Sequence, residues 1–171
     1  MMWLKEILNK MNIFQLLKDH LKLKIWGLPI AVLFLDQLSK FIIHAYLFRD
    51  MSSIKVLFFF NLVPVWNSGI SFGMFNETGE LGRVFFIILG LTFGVIIPVY
   101  TSNWKFIERM GAGFLSGGAL GNAFDRVVYG SVVDFLDFHW MDIHFPTFNF
   151  ADTCITFGVI LIFFANFRKS N

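Results

Sequence analysis

Four apolar stretches dominate the chain, at residues 25–47, 84–100, 107–128 and 148–167. A helix needs about 20 mostly apolar residues to cross the hydrocarbon of a bilayer. In that solvent the backbone must satisfy its own hydrogen bonds, which leaves only helices and closed barrels. The expected fold is therefore mainly α: an integral membrane protein with four transmembrane helices. The second and third stretches lie near the short or weak end of the range. Composition agrees, since 56% of the 171 residues are apolar, 24 are Phe and 15% are charged. Soluble domains carry about 25% charged residues.

Basic residues orient the spans, because they concentrate on the cytoplasmic side. Lys5, Lys10, Lys18, Lys22 and Lys24 precede the first span, Lys105 and Arg109 join the second to the third, and Arg168 and Lys169 follow the fourth. The connection from 129 to 148 holds no Lys or Arg. Both termini are expected in the cytoplasm, with the 129–148 connection outside. Residues 1–24 place Leu4, Ile7, Leu8, Met11, Phe14, Leu17 and Leu21 at helical spacing against a Lys-rich face. They read as a cytoplasmic amphipathic extension on the lipid surface, followed by a single membrane-embedded domain over 25–171. No small-residue cleavage site follows an apolar core here, so the first span is expected to remain as an anchor.

Between the first two spans, SIKVLFFFNLVPVWNSGISFGMF is rich in β-branched and aromatic residues and is broken by Pro64 and Asn67-Ser68-Gly69. Short strands with a turn are expected there, a small β-rich platform on the outer face. In the third span, Gly113, Gly117 and Gly121 repeat every four residues, a pattern that lets helices approach closely.

The polar residues are the costly ones. A carboxylate near the centre of a membrane helix costs about 2.5 kcal/mol or more, yet Asp152 lies one turn into the run FADTCITFGVILIFFANF. Asn122, Asp125 and Arg126 fall at the outer end of the third span, at offsets that share a helical face. Asp134 follows in the outer connection. Asn149, Asp152, Thr153 and Thr156 share one face of the fourth span. Asp134 and Asp152 can thus meet at one depth, at the outer boundary of the hydrocarbon. Two close carboxylates in a low dielectric do not both ionise, so one keeps a proton and the other remains a base. Such a pair can activate water against an amide carbonyl. The same carboxylates also suit a proton or ion relay, and on the residues alone both readings stand. Asp125 beside Arg126 also reads as a structural ion pair at a helix end. Asp36 with Lys40 one turn on reads as an intramembrane pair, and Asp137 and Asp142 read as solvated loop charges.

No other chemistry is signalled. Cys154 is the single cysteine, and His20, His44, His139 and His144 lack a ligand spacing, so no metal or other cofactor is expected. A net charge of +2 without a continuous basic patch gives no expectation of nucleic acid.

Four motifs, DQLSK at Asp36, WNSGISFG, GGALGNAFDRVVYGSVVDF and FNFADTCITFG, stand in order among the four spans. In this the chain resembles the bacterial lipoprotein signal peptidases (signal peptidase II). The resemblance implies an intramembrane aspartic endopeptidase of the bacterial cytoplasmic membrane. Its site lies at the outer face, where it removes the signal peptide of prolipoproteins just before a diacylglyceryl-modified cysteine. It implies Asp134 and Asp152 as the catalytic pair, and supporting positions at Asp36, Asn67, Asn122, Asp125, Arg126 and Asn149. The implied partners are lipidated prolipoproteins and membrane lipids, and the expected state is a monomer. The extension at 1–24 is longer than the family leads one to expect.

Overall fold

A computed structural model describes residues 23–69 and 79–167. Apart from its last two residues, the expected extension at 1–24 lies outside that range, as do the end of WNSGISFG and the basic pair Arg168 and Lys169. The described elements are helices α1 (Leu23–Ile43), α2 (Gly79–Tyr100), α3 (Phe106–Val128) and α4 (Phe150–Phe167), with strands β1 (Ile54–Leu57), β2 (Phe60–Asn67), β3 (Val132–Trp140) and β4 (Ile143–His144).

The helices follow the apolar runs, with edges moved by local chemistry. The α1 run and α2 are long and apolar enough to cross a membrane, as residues 25–48 and 79–100. Helix α4 is a shorter apolar helix, and α3 is the most polar of the four. Two of the four expected spans thus have the full length and character of a crossing helix. Helix α2 starts at Gly79 rather than 84 because its first turn is polar, with Glu80 acidic at the positive end of the helix. Its flank carries exposed Phe85, Ile88, Phe93 and Ile96, a surface that suits lipid and not water.

Helix α3 is the hub and packs on the other three. Its small residues make this possible. A methyl group added at Gly117 would meet Pro29 O at 2.6 Å and Val32 on α1; one added at Gly118 would strike Ala151 O on α4. The four-residue glycine repeat therefore serves α1, and a second set, Gly111 and Gly118, serves α4.

The sheet differs from expectation. It is antiparallel in the order β1-β2-β3-β4, so half of its strands come from the 129–148 connection rather than from between the first two helices. Strand β3 was hard to foresee because VVDFLDFHW has no clean alternation: both of its faces are largely buried. Helix α1 runs on into a π-helical turn, His44–Phe48, which turns Leu47 and Phe48 inward. These pack with Ile43, Val133 and Phe135 in a core that joins sheet to helices.

Candidate active site

Strand register places the first acid. A shift between Leu62 and Val65 spans Pro64, which has no N–H to give a ladder. Beyond it, Val65 stands opposite Asp134, and Asn67 opposite Val132. Side chains two apart share a face, so Asn67 lies diagonal to Asp134 and its Nδ2 donates to Asp134 Oδ2 at 2.8 Å. Gly69, at φ +83, closes a turn in which its N–H donates to Asn67 Oδ1 at 2.7 Å. That bond fixes which end of the Asn67 amide faces the acid. Asp134, expected in a loop, thus sits in a strand and is 1% exposed.

The start of α4 places the second. Leu136 and Phe148 pair backbone to backbone, which lays the residues before α4 along β3. Asn149, fully buried, comes next. Its Oδ1 accepts the N–H of Asp152 at 3.0 Å while its own N–H donates to Asp152 Oδ2 at 3.2 Å, the reciprocal bonding of a capping box. Its Nδ2 donates to Asp134 Oδ1 at 2.7 Å. One asparagine therefore touches both acids.

A buried polar network holds the pair from behind. Asn122 of α3 donates from Nδ2 to Asp152 Oδ1 at 2.7 Å. Its Oδ1 accepts from Lys40 Nζ at 3.0 Å and from Asn149 Nδ2 at 3.1 Å. Lys40 also reaches Asp36 at 2.8 Å and Asp125 at 2.9 Å. Asp36 Oδ1 accepts the Ala151 N–H at 2.9 Å, at the positive end of α4. Asp125 accepts from Gln37 Nε2 at 2.8 Å and from the Val133 N–H at 3.2 Å, which ties α1 and α3 to the root of β3.

Two expectations change here. Asp125 does not pair with Arg126. Consecutive helix residues point about 100° apart, so Asp125 faces α1 while Arg126 faces α2, with its guanidinium 5.0 Å from the centre of the Phe86 ring. Arg126 Nη1 donates to Asn122 O at 3.1 Å, one turn back. Asp137 is not a solvated charge either: it is buried and accepts from Asn61 Nδ2 at 2.9 Å and pairs with His144 Nδ1 at 2.7 Å. Burial raises its carboxyl, but the bonds from His144 and Asn61 outweigh that and hold it below the usual range. Asp142 is exposed, as expected. The Asp36–Lys40 pair forms, but as part of the network above. Gln37 and Lys40 are the residues that sequence reasoning left out of the site. The one signal was their position in DQLSK, beside Asp36.

Electrostatics separate Asp134 from ordinary surface carboxylates. Burial pushes the Asp134 carboxyl up to about 6, the negative charge of Asp152 adds to the rise, and the bonds from Asn67 and Asn149 oppose it. Apolar grooves flank the pair. One of about 440 Å³ runs between α2, α3 and α4, lined by Phe86, Phe93, Leu115 and Ile155, with Asn122 and Arg126 also on its wall. Another, of about 500 Å³, opens beside Asp152 along Phe148, Thr156 and Phe157. Among the described residues, no three His, Cys, Asp or Glu side chains are grouped as a metal site. A buried and a half-buried acid joined through amides, with apolar grooves alongside, can perform general acid–base chemistry on an apolar substrate.

Comparison with known proteins is decisive for the family. The model of the family "Signal peptidase (SPase) II" matches residues 28–168. The chain belongs to the signal peptidase II family. A lipoprotein signal peptidase of Thermodesulfovibrio yellowstonii is 39% identical over 87% of this chain and all of that protein. One from Shewanella sp. (strain MR-4) is 38% identical over 85% of the chain and 87% of its own length. Two solved structures described as bacterial membrane enzymes superpose with TM-scores of 0.72 and 0.71, at 29% and 32% identity. They cover 88% and 85% of this chain, and 92% and 93% of theirs. As a signal peptidase II member the chain is a peptidase, a hydrolase of peptide bonds. Every candidate residue from Asp36 to Asp152 lies within the span that the family model matches.

Proposed function

We propose that this chain is an aspartic endopeptidase of the bacterial cytoplasmic membrane that removes signal peptides from prolipoproteins, cutting before the diacylglyceryl-modified cysteine. Asp134 and Asp152 are the catalytic pair. The observation that carries this reading is Asn149, whose side-chain amide bonds Asp134 Oδ1 while its main-chain N–H bonds Asp152 Oδ2.

The two acids divide the work. Both Asp152 oxygens accept N–H groups, from Asn122 and Asn149, at the positive end of α4. Both Asp134 oxygens accept N–H groups as well, from Asn67 and Asn149. It is therefore the half-buried place of Asp152 at the helix end, against the full burial of Asp134, that makes Asp152 the base. Asp134, raised to about 6 by burial, is the acid. Asp152 takes a proton from water as its oxygen attacks the scissile carbonyl carbon, and Asp134 gives its proton to the carbonyl oxygen. The resulting gem-diol collapses as the C–N bond breaks. Asp152 then passes its proton to the leaving amine, and Asp134 recovers one from the diol. Arg126, on the wall of one groove, is the residue that would hold a substrate carbonyl, and Asn67 orients the pair through Asp134. The grooves on either side of α4 suit a substrate that is itself apolar, with a hydrophobic peptide segment and acyl chains.

The basic residues at both ends support cytoplasmic termini and a site at the outer face. Purified chain in lipid, given a prolipoprotein with and without its diacylglyceryl group, tests the proposal. Cleavage of the lipidated form alone, before the modified cysteine, is expected. Cleavage elsewhere, or of both forms equally, overturns the substrate assignment.

A further inference from the structure

Lys40 is 3% exposed, and its Nζ has three oxygen partners: Asp36 Oδ2 at 2.8 Å, Asp125 Oδ2 at 2.9 Å and Asn122 Oδ1 at 3.0 Å. An ammonium group has three N–H donors and no acceptor. Each of its neighbours must therefore present an oxygen, and the count is filled. For Asp36 and Asp125 this constrains little, since a carboxylate has oxygen on both sides. Asn122 is different, because its amide has one oxygen face and one nitrogen face.

With Oδ1 turned to Lys40, Nδ2 must turn the other way, and there it meets Asp152 Oδ1 at 2.7 Å. Asn149 applies the same sense, donating its Nδ2 to the same Asn122 oxygen at 3.1 Å. The Asp152 oxygen opposite Asn122 can then only accept. The other Asp152 oxygen accepts the Asn149 N–H. A flipped Asn122 would reverse this, setting its carbonyl against Asp152 and favouring a proton there.

Resting on the proposed catalytic pair, the geometry points to Lys40 as a positioning residue for the hydrolysis. It locks the Asn122 amide so that an N–H, and not a carbonyl oxygen, faces Asp152, the proposed base. The charged groups around the pair agree in their placement. Helix α1 contributes Asp36 and Lys40, and α3 contributes Asp125 and Arg126. Arg83 of α2 pairs with Glu80 on its own helix at 3.6 Å and lies near Gly130, before β3, and β2 presents the neutral Asn67. Lys40 is thus the cation in direct contact with the amide that faces Asp152.

The test is a double-mutant cycle on kcat, with thermal unfolding followed in parallel. Lys40→Met removes every donor; kcat should fall about 100-fold or more, the loss typical of an uncoupled active-site donor. KM should stay within about threefold, because Lys40 lines neither of the two grooves beside the pair and opens instead on a separate cavity with Gln37 and Tyr129. Lys40→Gln can still offer an N–H to Asn122 Oδ1 and should recover at least about tenfold of that loss. In an Asn122→Ala background the orienting contact is gone, so Lys40→Gln should cost little more. Equal losses in the Met and Gln variants, additive losses in the cycle, or wild-type kcat in a folded Lys40→Met each overturn the proposal. Failure of both Lys40 variants to fold also overturns it, since the residue's role is then structural. Failure of the underlying reading shows separately, as activity in Asp134→Asn or Asp152→Asn.

Discussion

Leu136 and Phe148 exchange backbone hydrogen bonds, Leu136 N–H to Phe148 O at 2.9 Å and Phe148 N–H to Leu136 O at 3.2 Å. This short bridge joins a strand to the approach of a helix. It sets Asn149, the next residue, against Asp134, two residues before Leu136 on the same strand face. Asp152 follows one turn later at the positive end of α4. The spacing of the two acids is therefore governed by backbone pairing, with their orientation refined by amide side chains.

Asn149 should be the most damaging supporting position to remove. Asn149→Ala strips an N–H from Asp134 and the acceptor for the Asp152 N–H. The expected loss in kcat is about 100-fold or more, with about 1 kcal/mol of stability from the missing cap. Steady-state kinetics beside thermal unfolding separate the two. A stability loss without a kcat loss would make Asn149 a helix cap only.

The pH dependence follows from Asp134. Its carboxyl is raised to about 6, mainly by burial, so it is protonated below that pH and ionised above. As the acid it must carry a proton, and kcat/KM should fall as pH rises through about 6 in the free enzyme. Bound substrate excludes more water, so the corresponding limb of kcat should lie at higher pH. A kcat/KM that instead rises through this range and levels off would make Asp134 the base.

Close packing around α3 predicts a contrast between glycines. An added methyl at Gly121 overlaps the Asp36 carboxylate, and one at Gly118 overlaps Ala151 O. Each alanine variant should lose about 1–3 kcal/mol, and Gly121→Ala should lose activity as well, because Asp36 holds the start of α4. Gly27, in α1, has nothing within 4 Å, so Gly27→Ala should be neutral or stabilising by up to about 1 kcal/mol. Thermal unfolding in one detergent ranks all three.

Much of this architecture was legible in the chain. Apolar length marked the helices, and the cost of a carboxylate in lipid singled out Asp152. The glycine repeat announced a close crossing, though not that a second set of glycines serves α4. Strand β3 was not legible, since burial on both faces erased the period-two pattern on which strand reading depends. The partner of Asp125 was not legible either. Adjacency in DR suggested Arg126, whereas the helix turns that side chain toward Lys40, a residue 85 positions earlier that only the α1–α3 crossing brings near. Local spacing predicts contacts within an element. Networks that cross three helices and a sheet depend on packing that no short motif encodes.

The central claim is that Asp134 and Asp152 act as one unit, and single and double asparagine variants test it most directly. Each protein is purified in the same lipid and given the same lipidated prolipoprotein. Asp134→Asn and Asp152→Asn should fold and bind substrate but cut at no more than about 10⁻³ of the wild-type rate, and the double variant should lose little beyond either single one. Asp137→Asn, bonded to Asn61 and His144 on the sheet, should keep most of its activity. Asp125→Asn should keep part of it, since it faces Lys40 and Gln37 rather than the reacting groups. Normal cleavage by a folded Asp134→Asn, with Asp125→Asn inactive in its place, would contradict the account.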